Sequence, residues 1–282
     1  MHCLFCKCDS SDSRSIEHII PESLGNTDYT LPQGFVCDKC NNYFARKVEK
    51  PFFDLQAIQS LRFQEWIPNK AGKYQSLIGI LDEGVPVKIR REQQGDEFIT
   101  TILCDSEIFT RLQQSSTSHR LIFPAFVDES SFSSSLVVTR FLAKIALEAL
   151  AQRLNSLDGL EYLVNHDGLD MLREHARIGN HTDWQCSIRR LYSIRGTFPA
   201  PDGENYQILN EYDFLLINAN DGKPNENGDI AVYSYFVIAL FGLEFVISMT
   251  EPSIEGYHKW LETHNGVSPL YIDKLDDSYA KI

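Results

Sequence analysis

The feature that most constrains this chain is a pair of Cys-x-x-Cys steps near its start, Cys3/Cys6 and Cys37/Cys40. Each two-residue spacer lets two sulfurs converge on one side of a tetrahedral ion. Two such steps a few tens of residues apart have the spacing of a four-thiolate structural Zn²⁺ site. A small segment clamped in this way takes its folding energy from the ion, so the first 50 residues are expected to order around it. The chain holds seven cysteines, an odd number with four in metal spacing, which suits a reducing compartment better than a disulfide framework. Cys8 competes as a ligand only if the N-terminus frays, and Cys104 and Cys186 read as small core residues.

Between the two steps lies Glu17-His18-Ile19-Ile20-Pro21, a carboxylate and an imidazole side by side at the end of a short apolar strand that the proline closes. Neighbouring residues on a strand face opposite ways, so Glu17 and His18 serve one site only if a local bend turns one of them. After the second step, Asn41 to Pro51 reads as a short helix opened by asparagine and closed by proline. The ion would therefore pin a strand-strand-helix unit.

Taken together, Cys-x-x-Cys, Glu-His-Ile-Ile-Pro and Cys-x-x-Cys-Asn-Asn resemble the HNH (ββα-metal, His-Me finger) endonucleases over roughly the first 50 residues. The resemblance implies that His18 is the general base that activates water. It also implies that Glu17 and Asn41 bind one divalent cation against the scissile phosphate. The 23 positions from 18 to 41 match the family's interval and favour Asn41 over Asn42, which stands as the alternative ligand. Lys47 is a candidate phosphate contact. The chemistry is coherent on its own terms: phosphodiester cleavage needs a deprotonated water and a cation to offset charge in the transition state. Oxygen ligands suit Mg²⁺ or Mn²⁺, whereas thiolates suit Zn²⁺. One position departs from the pattern. The family's middle asparagine, counted back from the second Cys step, falls on Pro32, with Thr30 and Gln33 as neighbours that could hold the histidine instead. The alternative reading is a non-catalytic zinc module that binds nucleic acid or protein.

Charge sharpens the question of partners. The net charge is −13; residues 1–55 carry six basic and eight acidic residues, net −2, which leaves −11 downstream. Such a chain is repelled by DNA overall, so local basic clusters, the cation or a partner must offset the repulsion. Lys88–Arg91 forms one cluster, as a solvated strand edge or a phosphate contact, and Arg189, Arg190 and Arg195 form a second. The segment Ile230–Met249 carries a single charge, Glu244, yet its β-branched and aromatic content and its Gly242 indicate a buried hairpin or long strand rather than a membrane span. With no basic, apolar leader in view, a cytoplasmic location is expected.

With 43% apolar and 23% charged residues the chain has ample core. Strands are expected over 76–82, 85–91 and 97–103, with turns at 82–84 and 94–96. A core-facing helix is expected over Leu136–Leu154, with Val138, Leu142, Ile145, Leu150 and Leu154 on its apolar stripe, and a second over Leu160–Arg177. Strands Trp184–Ile194 and Tyr206–Asn218 flank a loop at 196–205, and a helix over Ile254–Thr263 precedes an acidic tail. The expected fold is α+β: a zinc-stabilised ββα-metal unit at 1–55, then a larger domain at 56–282 with a mainly antiparallel sheet and two core helices. That arrangement resembles stand-alone bacterial HNH endonucleases, some found beside phage-defence genes. It implies a DNA-cutting effector whose downstream domain binds a partner, or a second copy of the chain, or senses a signal.

Overall fold

The computed structural model describes residues 1–26, 28–69, 72–94, 97–115, 118–123, 127–191, 198–199, 205–206, 210–218, 224 and 231–271. The expected turn at Gly95–Asp96, Arg195, Pro201 and the acidic tail lie outside the described residues. In chain order the elements are β1 (Glu17–His18), β2 (Thr30–Leu31), α1 (Asp38–Phe44), α2 (Lys50–Phe53), α3 (Gln56–Gln64), β3 (Ser76–Leu81), β4 (Val85–Gln94), β5 (Glu97–Leu103), α4 (Ser106–Gln114) and β6 (Leu121–Ile122). There follow α5 (Leu136–Leu154), α6 (Leu157–Asn165), α7 (Asp170–Arg177), β7 (Cys186–Arg190), β8 (Phe198–Pro199), β9 (Asn205–Tyr206), β10 (Asn210–Asn218), β11 (Val232–Leu240), β12 (Leu243–Ser248) and α8 (Glu255–Thr263). Among the described residues all strand pairing is antiparallel, and the fold is α+β.

The chain divides into two compact units: residues 1–21, 26–52 and 128–282 form one, and residues 22–25 and 53–127 the other. The cysteine-rich segment and the C-terminal half, which the sequence reading assigns to separate domains at 1–55 and 56–282, thus share a unit. The physical reason is what they bury against one another. Phe52 stacks on Phe141 with ring centroids 3.8 Å apart and planes within 7°. Arg173 donates from Nε to the Leu4 carbonyl at 3.0 Å, and Arg140 reaches the Tyr43 hydroxyl at 3.1 Å. Lys7 pairs with Asp170 at 2.7 Å, and Gln152 donates to the Thr30 carbonyl at 3.3 Å.

Within this unit α5 is buried nearly all round. Its buried residues include Val138, Phe141, Leu142, Ile145 and Ala149, while Leu150 is half-buried and Leu154 exposed, so the stripe ends a turn earlier than its periodicity predicts. The second expected helix is two, α6 and α7, separated by a 3₁₀ turn at Asp167–Leu169. Ser156 caps α6 by accepting from the Gly159 amide, and Gly168 interrupts the run. The sheet runs β10-β11-β12-β7. β11 and β12 are the hairpin expected of Ile230–Met249, turned by Phe241 and Gly242, both in the left-handed region (φ 52° and 74°). Glu244, the lone charge, is buried on β12 because Arg189, the Tyr257 hydroxyl (2.5 Å) and Ser268 satisfy its carboxylate.

In the other unit the sheet runs β5-β4-β3-β6 over a small core of Phe63, Leu77 and Ile89. At Gly79 on β3 a Cβ would stand 2.6 Å from Ile89 Cδ1 and 2.9 Å from Leu121 Cδ1, so those side-chain ends would have to shift to admit one. Arg91, part of the first basic cluster, donates to the Gln64 carbonyl at 2.9 Å and lies over the Phe63 ring.

Candidate active site

The cysteines come together as their spacing predicts. The sulfurs of Cys3, Cys6, Cys37 and Cys40 all lie within 4.8 Å of one another, with Cys6 and Cys37 3.6 Å apart. A tetrahedral Zn²⁺ with bonds of about 2.3 Å sets sulfurs roughly 3.8 Å apart, so four soft donors at this spacing fit zinc. Cys8 is exposed and stands outside the cluster. Local backbone builds the two knuckles. Lys7 takes φ 57° so that its amide reaches the Cys3 carbonyl at 2.9 Å, and Cys37 caps α1 by accepting from the Cys40 amide at 3.4 Å. A hydrogen bond with Cys40 pulls the Cys3 thiol down to about 4, and the same bond holds Cys40 well up; burial pushes Cys37 up to about 11. The cluster thus already favours one thiolate before any cation is considered.

Because Cys37 is the cap, the helix begins at Asp38, three residues before the asparagine expected to open it. Nor does Pro51 close it. A π turn over Ala45–Glu49 widens the coil, the Lys50 amide bonding back to the Ala45 carbonyl, and the helical course continues to Phe53. With the register shifted in this way Pro51, which has no N–H to give, is accommodated.

β1 and β2 pair Glu17 with Leu31 and His18 with Thr30. Glu17 is 6% exposed, while His18 is half-buried. Inward, Glu17 meets α5. Its Oε1 accepts from Lys144 Nζ at 2.5 Å. Lys144 is fully buried and also lies 2.8 Å from Glu49 and 2.9 Å from Glu148. Burial alone would push the Lys144 ammonium down, but Glu148, Glu17 and Glu49 outweigh it and hold it well up; burial holds the Glu148 carboxyl well above the carboxylate range, only partly offset by Lys144. Sequence reasoning missed both Lys144 and Glu148. An i,i+4 Lys-Glu pair on a helix ordinarily signals an exposed face, and nothing local announces the two carboxylates that come from elsewhere.

Asn41 and Asn42 behave differently. Asn42 is exposed and spends its Nδ2 on the Asp38 carbonyl at 2.9 Å. Asn41 is half-buried, and among the described residues its side-chain amide makes no hydrogen bond. Lys47 is exposed on the π turn. Asp38 ties the approach to β1: its carboxylate accepts from Ser15 Oγ at 2.6 Å and from the Ser15 and Arg14 amides, bonds that hold it below the usual carboxylate range. A groove of about 890 Å³ opens beside the cysteines, bordered by Tyr43, Arg46 and Arg177; Glu17, His18 and Asn41 are not among its walls.

A buried asparagine lies earlier in the chain. Asn26, 4% exposed, donates from Nδ2 to the Ile20 carbonyl at 2.6 Å and accepts at Oδ1 from the Asp28 and Tyr29 amides at 3.0 and 3.1 Å. Tyr29 in turn accepts from the Ile19 amide at 3.0 Å. The backbone immediately after His18 is thereby fixed to the loop that leads into β2. Gln33, one of the proposed substitutes, instead donates to the Arg14 carbonyl at 3.0 Å.

A thiolate-clamped hairpin and helix carrying an acid-His pair on its first strand defines a class, the zinc-stapled ββα unit. In keeping with it, residues 3–54 match the model of the HNH endonuclease family, a likeness that speaks for nuclease activity in general. No curated protein and no solved structure matches the chain. Among the described residues no helix is long and apolar enough to cross a membrane.

Proposed function

We propose that the chain is a metal-dependent endonuclease that hydrolyses phosphodiester bonds of DNA. What supports this most is His18 on β1, half-buried, with its following backbone locked by Asn26, inside the segment that matches the HNH endonuclease family. In this reading the His18 imidazole takes a proton from water as the water oxygen attacks phosphorus. One ester P–O bond breaks, and the departing oxygen gains a proton. Glu17 and Asn41 carry the hard oxygens for Mg²⁺ or Mn²⁺, which when bound would offset charge on the phosphate. Asn42 is the weaker candidate because its amide is already spent. Lys47, exposed on the π turn, supplies a phosphate contact.

Charge bears on how such a substrate is approached. Of the second basic cluster, Arg189 is committed to Glu244 and Arg190 donates to the Phe241 carbonyl at 3.0 Å, which leaves little of it for phosphate. With a net charge of −13 the protein is expected to need help in approaching DNA. Residues 56–282 are accordingly proposed to dock a protein partner or a second copy, and the whole is proposed to act in the cytoplasm as a bacterial effector, in phage defence among other settings. Incubating the purified, zinc-loaded chain with plasmid, linear DNA and RNA, with Mg²⁺, Mn²⁺ or chelator, tests the activity. Cleavage of DNA only with added cation is the expected result, and no cleavage of any substrate under any of these conditions would contradict it.

A further inference from the structure

The buried charges around Glu17 contain more than the proposed chemistry uses. One ammonium, Lys144 Nζ on α5, faces three carboxylates from three elements: Glu17 on β1 at 2.5 Å, Glu49 on the π turn at 2.8 Å and Glu148 one helical turn along α5 at 2.9 Å. Lys144 and Glu148 are both 0% exposed. Neither Glu148 oxygen makes a hydrogen bond, so the 2.9 Å approach to Nζ is a charge contact without hydrogen-bond alignment. The best-aligned contact of the ammonium is therefore the one to Glu17.

That contact conflicts with the role assigned to Glu17. A divalent cation on the same carboxylate would sit within a few ångströms of a buried ammonium, where low dielectric leaves like charges poorly screened. We propose that Lys144 is a resident cation that sets the metal affinity of Glu17, so that divalent-cation binding there competes with the Lys144–Glu17 contact; this rests on the endonuclease reading of Glu17. The two other carboxylates make the exchange feasible. When Lys144 releases Glu17 it keeps Glu49 and Glu148 within ion-pair distance and is not left as an unpaired buried charge, which would be prohibitive. The affinity of the site is then governed by a helix 127 residues away in sequence and outside the matched segment 3–54. Any event that shifts α5 against β1 alters metal occupancy.

The test is Mn²⁺ binding to the intact, zinc-loaded chain, read from the electron-spin-resonance signal of free Mn²⁺ and not from activity. Lys144→Met should bind one Mn²⁺ at least tenfold more tightly than wild type, and Lys144→Met/Glu17→Gln should lose that gain. Retained zinc reports folding. If the single variant loses its zinc, Lys144→Met/Glu148→Gln, which removes one buried carboxyl charge along with the ammonium, takes its place with the same expectation. Binding that is unchanged or weaker would overturn the proposal, as would a gained site that survives Glu17→Gln, since the ion would then sit on Glu49 and Glu148. Failure of the endonuclease reading shows separately, as cleavage that survives loss of His18.

Discussion

Asn26→Ala is the perturbation whose cost follows most directly from the structure. The side chain makes two close acceptor contacts and one close donor contact, to the Asp28 and Tyr29 amides and the Ile20 carbonyl, at 2.6–3.1 Å. Alanine removes all three partners at once. A buried polar group left without its partner costs about 1–3 kcal/mol, and the small void admits water to some of the three, so a loss of roughly 3–5 kcal/mol is expected. Asn26→Asp keeps the acceptor arm but sets a carboxylate against the Ile20 carbonyl, so it should rescue only part of the loss. Guanidinium unfolding of the zinc-loaded chain measures the stability, and plasmid cleavage at saturating Mg²⁺ measures the consequence for His18. Because the loop fixes backbone only two residues beyond His18, cleavage should fall by about 10²-fold, the scale of a displaced general base. A variant within 0.5 kcal/mol of wild type, on the order of an ordinary surface substitution, and with unchanged cleavage would refute the reasoning.

Two further outcomes follow. Cys37→Ser removes a zinc-binding sulfur while leaving a hydroxyl that can still cap α1, so metal analysis should fall from about one tightly held Zn²⁺ per chain to none, with the hairpin and α1 losing order for want of the ion; a zinc-free protein with an intact hairpin would contradict this. Burial, with His181 and Arg140 nearby, pushes His175 down to about 4 from its ordinary 6.5. The neutral ring is what the fold accepts, so this stability is fully present above pH 6.5 and is lost as pH falls towards 4, about 3 kcal/mol in all. The difference in unfolding free energy between wild type and His175→Gln should therefore change across that window, and a constant difference would show that His175 does not titrate there.

Much of the site was legible because its signals are local. Cys-x-x-Cys steps dictate sulfur convergence through their own turns, and Gly242 within an apolar run announces a hairpin. What escaped depends on contacts no local pattern carries. Asn26 lies outside any motif, because its bonds follow Asx-turn logic and reach from the loop to the strand end it serves. Lys144 and Glu148 look like an exposed helical pair until Glu17 and Glu49 are brought to them. The helix start moved from Asn41 to Asp38 because a thiol, not an amide, caps it. Phe52, Leu4 and Tyr43 find partners beyond residue 128, through one ring stack and two hydrogen bonds from arginine, and no local pattern in the first 55 residues announces them.

Whether His18 is the base of a phosphodiester hydrolysis is tested by DNA cleavage by His18→Ala beside wild type, at equal zinc content and saturating Mg²⁺ or Mn²⁺. General-base loss costs about 10²–10⁴-fold, so a fall of that size is expected, with zinc and unfolding behaviour unchanged. Wild-type cleavage by His18→Ala, under conditions where the parent cuts, would contradict it.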